Sequence, residues 1–400
     1  MRRCLLLLTL LIATAASAQS RFHRRVQRLD YANFDQNSII FPADSARFDE
    51  FLRKLDEVVV SGQGRLNIVH VGGSHVQGGV WTDRLRQNLL ALRYGLDAGR
   101  GFVFPYAAAG TNTPASYRSK AFGTWTSDRC LKPEGRLGLS GMSVTTADTS
   151  SVLIDLVPSN RRFATPGYVF RSVDVLGYGE KEPVLILGRD SLRGRETRGH
   201  WHFDLPHYSE YVRIGFRGEG TFTLTGVYLD KGTDGISVSE IGVNGASTLS
   251  WLHCEDWEND LRLIKPDLVI FSIGINDIQN TEFSAEAFEQ RYNKLVRQVL
   301  RVNPECALLF TTVTDSYYHR RQPNRFGVEA SSAIFRLARK YNAAVWDQFS
   351  LMGGLGSVEQ WAQSGLATWD LVHFTSEGYN LFGNLLFNAM MDRYSELCRR

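Results

Sequence analysis

The sequence predicts an α/β fold on an open parallel sheet, interrupted by an inserted β-sandwich, and three observations carry that expectation. Apolar strand-like runs alternate with amphipathic helical stretches both early and late in the chain. One run, Leu66 to Val71, reads as a buried strand, another, Asp267 to Ser272, is continuous as in strands covered on both faces, and each leads into a glycine turn. Between about 115 and 235 the helical periods give way to strand-like runs separated by Gly and charged turns.

The first eighteen residues stand apart from that fold. Arg2 and Arg3 precede an apolar run from Leu5 to Ile12, followed by Ala16-Ser17-Ala18. That is the layout of a secretory signal peptide cleaved before Gln19. The run is well short of the roughly 20 residues that span a bilayer. Cys4 lies ahead of it, so it cannot be the acylated Cys that follows a lipoprotein signal. The expectation is an exported protein, periplasmic or extracellular, with no transmembrane segment after cleavage.

Of the 400 residues, 45 are basic and 42 acidic, while 43% are hydrophobic and 22% charged. Those proportions exclude a disordered or collagen-like chain. Loss of Arg2 and Arg3 leaves 43 basic residues against 42 acidic, a balance that demands no nucleic-acid partner. Cys130, Cys254, Cys306 and Cys398 would remain, enough for one or two disulfides or for buried thiols. No Cys-x-x-Cys pair occurs, which argues against a thiolate zinc site.

Residues 19–43 form a polar, basic lead-in with Arg21, His23, Arg24, Arg25 and Arg28, read as a solvated arm. In the first α/β part, 44–114, Phe48, Phe51, Leu52, Leu55 and Val58 recur at helical spacing until Gly62. The strand from Leu66 follows and runs into Gly72-Gly73-Ser74, with a helix expected from about Val80 to Tyr94. The β-rich insertion, 115–235, holds the strand-like runs Ser151 to Leu156, Tyr211 to Phe216, and Thr221 to Thr225, which alternates polar and apolar. The second α/β part, 236–400, continues from Asp267 to Ser272 with a helix marked by Phe288, Tyr292, Leu295, Val296 and Val299. Then come a strand from Ala307 to Val313, a helix from Val328 to Tyr341, a strand from Ala343 to Trp346, and a final helix from Ser376 to Leu397. Right-handed crossovers place the strand C-termini along one edge, where ligands bind in such sheets.

Three clusters fall at that edge. Ser74, in Gly72-Gly73-Ser74-His75, sits on a glycine turn leading to a helix, which exposes its Oγ and its N–H. Alone it is a candidate nucleophile or a turn Ser. Asn276, in Gly274-Ile275-Asn276-Asp277, carries an amide able to donate to an oxyanion, or simply ends a strand. Asp370 and His373, in Asp370-Leu371-Val372-His373, supply a base and the acceptor that fixes its tautomer, although such pairs also occur as capping residues.

The order of the clusters resembles the blocks of the SGNH hydrolase superfamily, the GDSL esterases. A fourth block, Gly242-Val243-Asn244-Gly245-Ala246-Ser247, resembles its glycine block, with Gly245 the better match. The resemblance covers 64–100 and 236–395. It implies a flavodoxin-like three-layer sandwich, Ser74 as nucleophile, His373 as base and acid, and Asp370 orienting His373. It also implies an oxyanion hole of Ser74 N–H, Gly245 N–H and the Asn276 side chain, with no metal or organic cofactor. Gly73 stands where the family usually writes Asp. His75 after the nucleophile resembles a subgroup, the bacterial peptidoglycan O-acetylesterases, whose members carry a carbohydrate-binding-like β insertion in this place.

Other candidates carry blander readings. His200 and His202 share a strand face near His207, as for zinc, but also as ordinary polar strand residues. Trp125, Trp201 and Trp251 could stack on sugars or fill the core. The Gly-rich stretch from Gly99 through Arg100 to Asn112 lacks a phosphate-loop Lys and is expected to line the cleft near Ser74. The expected function is a secreted carbohydrate O-acetylesterase, with O-acetylated peptidoglycan the leading substrate. The alternatives are an esterase for plant polysaccharide acetyl groups or other short-chain esters, and a glycan-binding protein with a decayed hydrolase domain.

Overall fold

The computed structural model describes residues 22–157, 168–197 and 199–399, so the signal-peptide segment lies outside the described residues. The central sheet contains β1 (Ile39–Ile40), β2 (Arg65–Gly72), β3 (Gly235–Gly242), β4 (Leu268–Ser272), β5 (Ala307–Thr311) and β6 (Ala344–Trp346). Their spatial order is β1-β6-β5-β4-β2-β3, parallel throughout except for β1, which runs antiparallel to β6. The five parallel strands therefore follow the doubly wound 2-1-3-4-5 order, whose switch point lies beside β2.

Alternate residues of these strands feed two apolar layers. Ile68, Ile270 and Leu309 pack under α1 (Ala46–Ser61), α3 (Val80–Leu90) and α9 (Ser376–Leu397). Val69, Phe271 and Phe310 pack under α5 (Trp257–Ile264), α7 (Ala285–Val302) and α8 (Phe326–Tyr341). Burial on both faces explains the continuous apolar runs of β4 and β5. The short α2 (Ser74–Gln77), α4 (Thr248–Trp251) and α6 (Ile275–Ile278) stand at the strand ends.

The middle of the chain forms two antiparallel sheets. One has five strands, in the order Asp190–Arg193, Glu182–Leu187, Tyr211–Arg217, Ser151–Asp155, Arg118–Phe122. In the other, Phe222–Asp230 pairs with Phe170–Gly179, Met142–Thr146 and Gly101–Val103. The fold is thus an α/β core with an inserted β module. Gly101–Val103 joins a module sheet although it precedes residue 115.

The strand Phe222–Asp230 is covered on both faces, with Thr223 and Thr225 buried and Thr223 Oγ1 pairing with Thr145 Oγ1 at 2.8 Å. Two expectations change. The lead-in is not a solvated arm. Arg24 exchanges two hydrogen bonds with the Asn388 side chain at 2.8 and 2.9 Å, Leu29 is buried, and Ile39 and Ile40 extend the sheet as β1. The helix expected to reach Tyr94 ends at Leu90, and Tyr94 is exposed. All four described cysteines are thiols, three buried and Cys398 exposed, with Cys130 against Cys254.

Candidate active site

Three strand ends meet in one row. Gly72 of β2 pairs with Gly242 of β3 on one side and Ser272 of β4 on the other. Ser74, Gly245 and Asn276 therefore leave neighbouring strands within a few residues of the same level. Gly245 adopts φ +82°, a left-handed conformation that glycine takes without strain.

The fourth segment comes from the C-terminal side. Residues 367–374 fold back on themselves, with Ala367 bridged to Phe374 and Thr368 N–H donating to His373 O at 2.8 Å. The turn places Leu371 at φ +57°, a costly conformation for a branched side chain that this loop nonetheless enforces. It presents Asp370 and His373 side by side.

The three side chains form a continuous relay. Ser74 Oγ lies 2.7 Å from His373 Nε2, and His373 Nδ1 lies 2.7 Å from Asp370 Oδ2. Asp370 Oδ1 accepts from Thr368 Oγ1 at 2.6 Å and from the Val372 and His373 N–H groups at 2.9 Å each. Partial burial alone would raise the Asp370 carboxyl. The hydrogen bonds from His373, Thr368 and Val372 outweigh it and hold the group well below the usual carboxylate range. Asp370 is therefore ionised whenever His373 needs a partner.

Unpaired N–H groups stand at the neighbouring strand ends. The N–H groups of Ser74 and Gly245 find no acceptor among the described residues. Asn276 Nδ2 donates to Ala246 O at 3.0 Å, which leaves its second proton free. Behind them, Asp277 accepts from Thr248 N–H at 2.9 Å and Thr248 Oγ1 at 2.6 Å, tying α6 to the glycine block. The Leu131 side chain closes on Gly245, and a groove of about 490 Å³ beside it is lined by Ser127, Asp128, Arg129, Leu131, Lys132, Gly245 and Ser250. The β module thus reaches the site.

Sequence reasoning missed the supporting residues. Gln77, fully buried, accepts from Asn244 N–H at 2.6 Å and donates to Asn112 O at 3.0 Å, so it links α2 to the glycine block. Thr368 and the exposed Trp369 beside Asp370 were also passed over. Position carried the only signal for these residues, since each lies within five residues of a motif. The Gly-rich stretch reaches the site segments through Tyr106, whose hydroxyl donates to Gly242 O at 3.2 Å, and through Thr111 and Asn112, which accept from Gln77. Arg100 is instead buried on Glu240 and on Ser116 Oγ, because a buried guanidinium requires a carboxylate.

The remaining candidates lie elsewhere. His200 and His202 face Asp174 at 3.4 and 2.7 Å, and among the described residues no cluster of three or more His, Cys, Asp or Glu could hold a metal. Trp251 is buried against Trp257, while Trp125 and Trp201 pack on Phe216 and Phe222.

Residues 215–381 match the model of the GDSL-like lipase/acylhydrolase family, a span that excludes Ser74 and includes the other three segments. A search of curated proteins found no match. Among solved structures, a peptidoglycan O-acetylesterase superposes with TM-score 0.74 at 23% identity, over 90% of this chain and 99% of that one. A lipase/acylhydrolase from Enterococcus faecalis matches at TM-score 0.33 and 20% identity, over 40% of this chain and 78% of that one. An acetylxylan esterase from Geobacillus stearothermophilus matches at TM-score 0.31 and 20% identity, over 39% and 73%. Residues 215–381 thus resemble a GDSL-like lipase/acylhydrolase domain, and the chain shares its fold with the peptidoglycan O-acetylesterase structure.

Proposed function

We propose that this chain is an exported serine esterase that removes O-acetyl groups from a carbohydrate, with O-acetylated peptidoglycan as its substrate. The observation that carries the reading is the Ser74–His373–Asp370 relay, with both contacts at 2.7 Å. Ser74 Oγ attacks the acetyl carbonyl carbon while His373 Nε2 takes its proton. Ser74 N–H, Gly245 N–H and Asn276 Nδ2 stabilise the tetrahedral oxyanion. Collapse expels the sugar oxygen, which His373 protonates, and leaves acetyl-Ser74. His373 then deprotonates a water that attacks the acyl-enzyme, and acetate departs. Asp370 stays ionised throughout and stabilises the imidazolium.

Two observations support a glycan substrate. The similar structure that spans both the α/β core and the β module is a peptidoglycan O-acetylesterase. Trp369, 78% exposed next to Asp370, offers an aromatic face on which a pyranose can stack. Export is the reading of the N-terminal segment. Among the described residues no helix is long and apolar enough to cross a membrane.

The test is acetate release by the protein starting at Gln19, with Ser74→Ala as blank. Release from O-acetylated peptidoglycan that vanishes in the variant is expected. Release from acetylated xylan alone would overturn the substrate, and no release from either would overturn the esterase reading.

A further inference from the structure

His75 follows the nucleophile in sequence, yet no step above uses it. The residue is buried, and its ring lies 5.3 Å from that of His373, 5.8 Å from Phe374 and 5.7 Å from Tyr379. It therefore stands between the segment that carries Ser74 and the segment that carries His373. Its Nδ1 is 2.8 Å from the Tyr379 hydroxyl, in the first turn of α9. The Tyr379 hydroxyl donates to His75 Nδ1 in the tautomer whose ring proton is on Nε2. Burial first, then the neighbouring His373, hold His75 down to about 3 against a smaller opposing effect of Asp370, so the ring stays neutral.

The other edge of the ring meets a second feature. His75 Nε2 has no partner among the described residues. His75 lines a cavity of about 20 Å³ together with Trp81, Thr314 and Gln348. Trp81 Nε1, Thr314 Oγ1 and Gln348 Nε2 are likewise buried without partners. A polar cavity of that size holds about one water, and buried waters make two to four hydrogen bonds.

We propose that His75 is a positioning residue: with Tyr379 it sets the separation of Ser74 and His373, and a water that accepts from His75 Nε2 and Gln348 Nε2 and donates to Thr314 Oγ1 fixes its ring from behind. The proposal rests on Ser74 as the nucleophile. Both groups that must meet at 2.7 Å lie beyond the sheet, Ser74 at the start of the short α2 and His373 on the 367–374 turn. Outside the relay itself, His75 joins them through one hydrogen bond and three ring contacts. An error of about 1 Å in that separation costs on the order of 10² in rate.

The experiment combines steady-state kinetics on 4-nitrophenyl acetate with fluorophosphonate labelling of Ser74. A wild-type protein that neither hydrolyses nor labels would overturn the nucleophile reading, whatever His75 does. With an active wild type, His75→Ala and Tyr379→Phe each lower kcat about tenfold or more, with KM changed by less than about twofold. The double variant is no worse than either single one. His75→Asn, whose Oδ1 can stand where Nδ1 accepts, recovers most of the kcat lost in His75→Ala. Gln348→Leu lowers kcat in the same direction. Tyr379→Phe at wild-type kcat, or a loss confined to KM, would overturn the positioning role even if His75→Ala fails to fold. Gln348→Leu without effect would overturn the water.

Discussion

Gly73 occupies the position at which the resembled family writes Asp. Its φ of −91° lies outside the left-handed region. A Cβ at this position would lie 2.9 Å from Asn276 Nδ2, closer than the two atoms can remain. Glycine is therefore the residue that lets the Asn276 amide rest on Ala246 O and keep a proton for the oxyanion. Gly73→Ala is expected to lower kcat by about 10²-fold through displacement of that amide, with a smaller change in KM. Steady-state kinetics on a small acetate ester checks this, and an unchanged kcat would contradict it. Ser74, Asn276, Asp370 and His373 were legible because each sits in a short motif at a strand end or before a helix. Gln77 and Thr368 were not, since one polar side chain at ordinary spacing carries no period; their importance lies in partners far along the chain.

At the scale of elements, β3 was the hardest strand to read. All eight of its residues are buried, yet Ser237, Ser239 and Glu240 break its apolar run. Their partners come from other elements: Ser237 Oγ donates to Asn67 Oδ1 at 2.8 Å, and Ser239 Oγ accepts from Phe102 N–H at 3.0 Å. Glu240 is shared by the buried guanidinium groups of Arg86 and Arg100. By contrast, β4 and α9 were legible because apolar side chains alone define them. Glu240→Ala would leave the buried Arg100 without its carboxylate, while Arg86 keeps Asp83. The expected cost is about 3–5 kcal/mol of stability, read as a lowered midpoint in urea unfolding. A midpoint within experimental scatter of the wild type would contradict the assignment.

At the scale of the whole molecule, the β module and the α/β core share one apolar cluster, and a carboxylate is buried where they meet. Asp260 of α5 accepts from Leu139 N–H at 2.7 Å. Burial, helped by Asp256 and opposed by Leu139 N–H and Arg136, pushes its carboxyl up to about 7. Because the folded value lies above the unfolded one, the stability this group contributes is complete below about pH 4 and is lost as the pH rises through 7, at roughly 1.4 kcal/mol per unit. Asp260→Asn should flatten the fall of the thermal midpoint over that window and raise the midpoint above pH 7. An unaltered slope would contradict the burial argument.

The 2-1-3-4-5 strand order brings four segments, separated by up to 299 residues, to one row of strand ends. Alternation of strands and helices made that architecture legible. The packing of the lead-in against α9 was not, because its apolar contacts, Phe22 on Tyr394 among them, follow no regular period and its hydrogen bonds run to the distant Asn388. The central claim is that Ser74 accepts the acetyl group. Its most direct measurement is mass spectrometry of the acid-quenched protein during turnover of an acetate ester. One acetyl group on the peptide that contains Ser74, absent from Ser74→Ala, is the predicted result. Turnover with no acyl adduct, or an adduct that persists in Ser74→Ala, would contradict it.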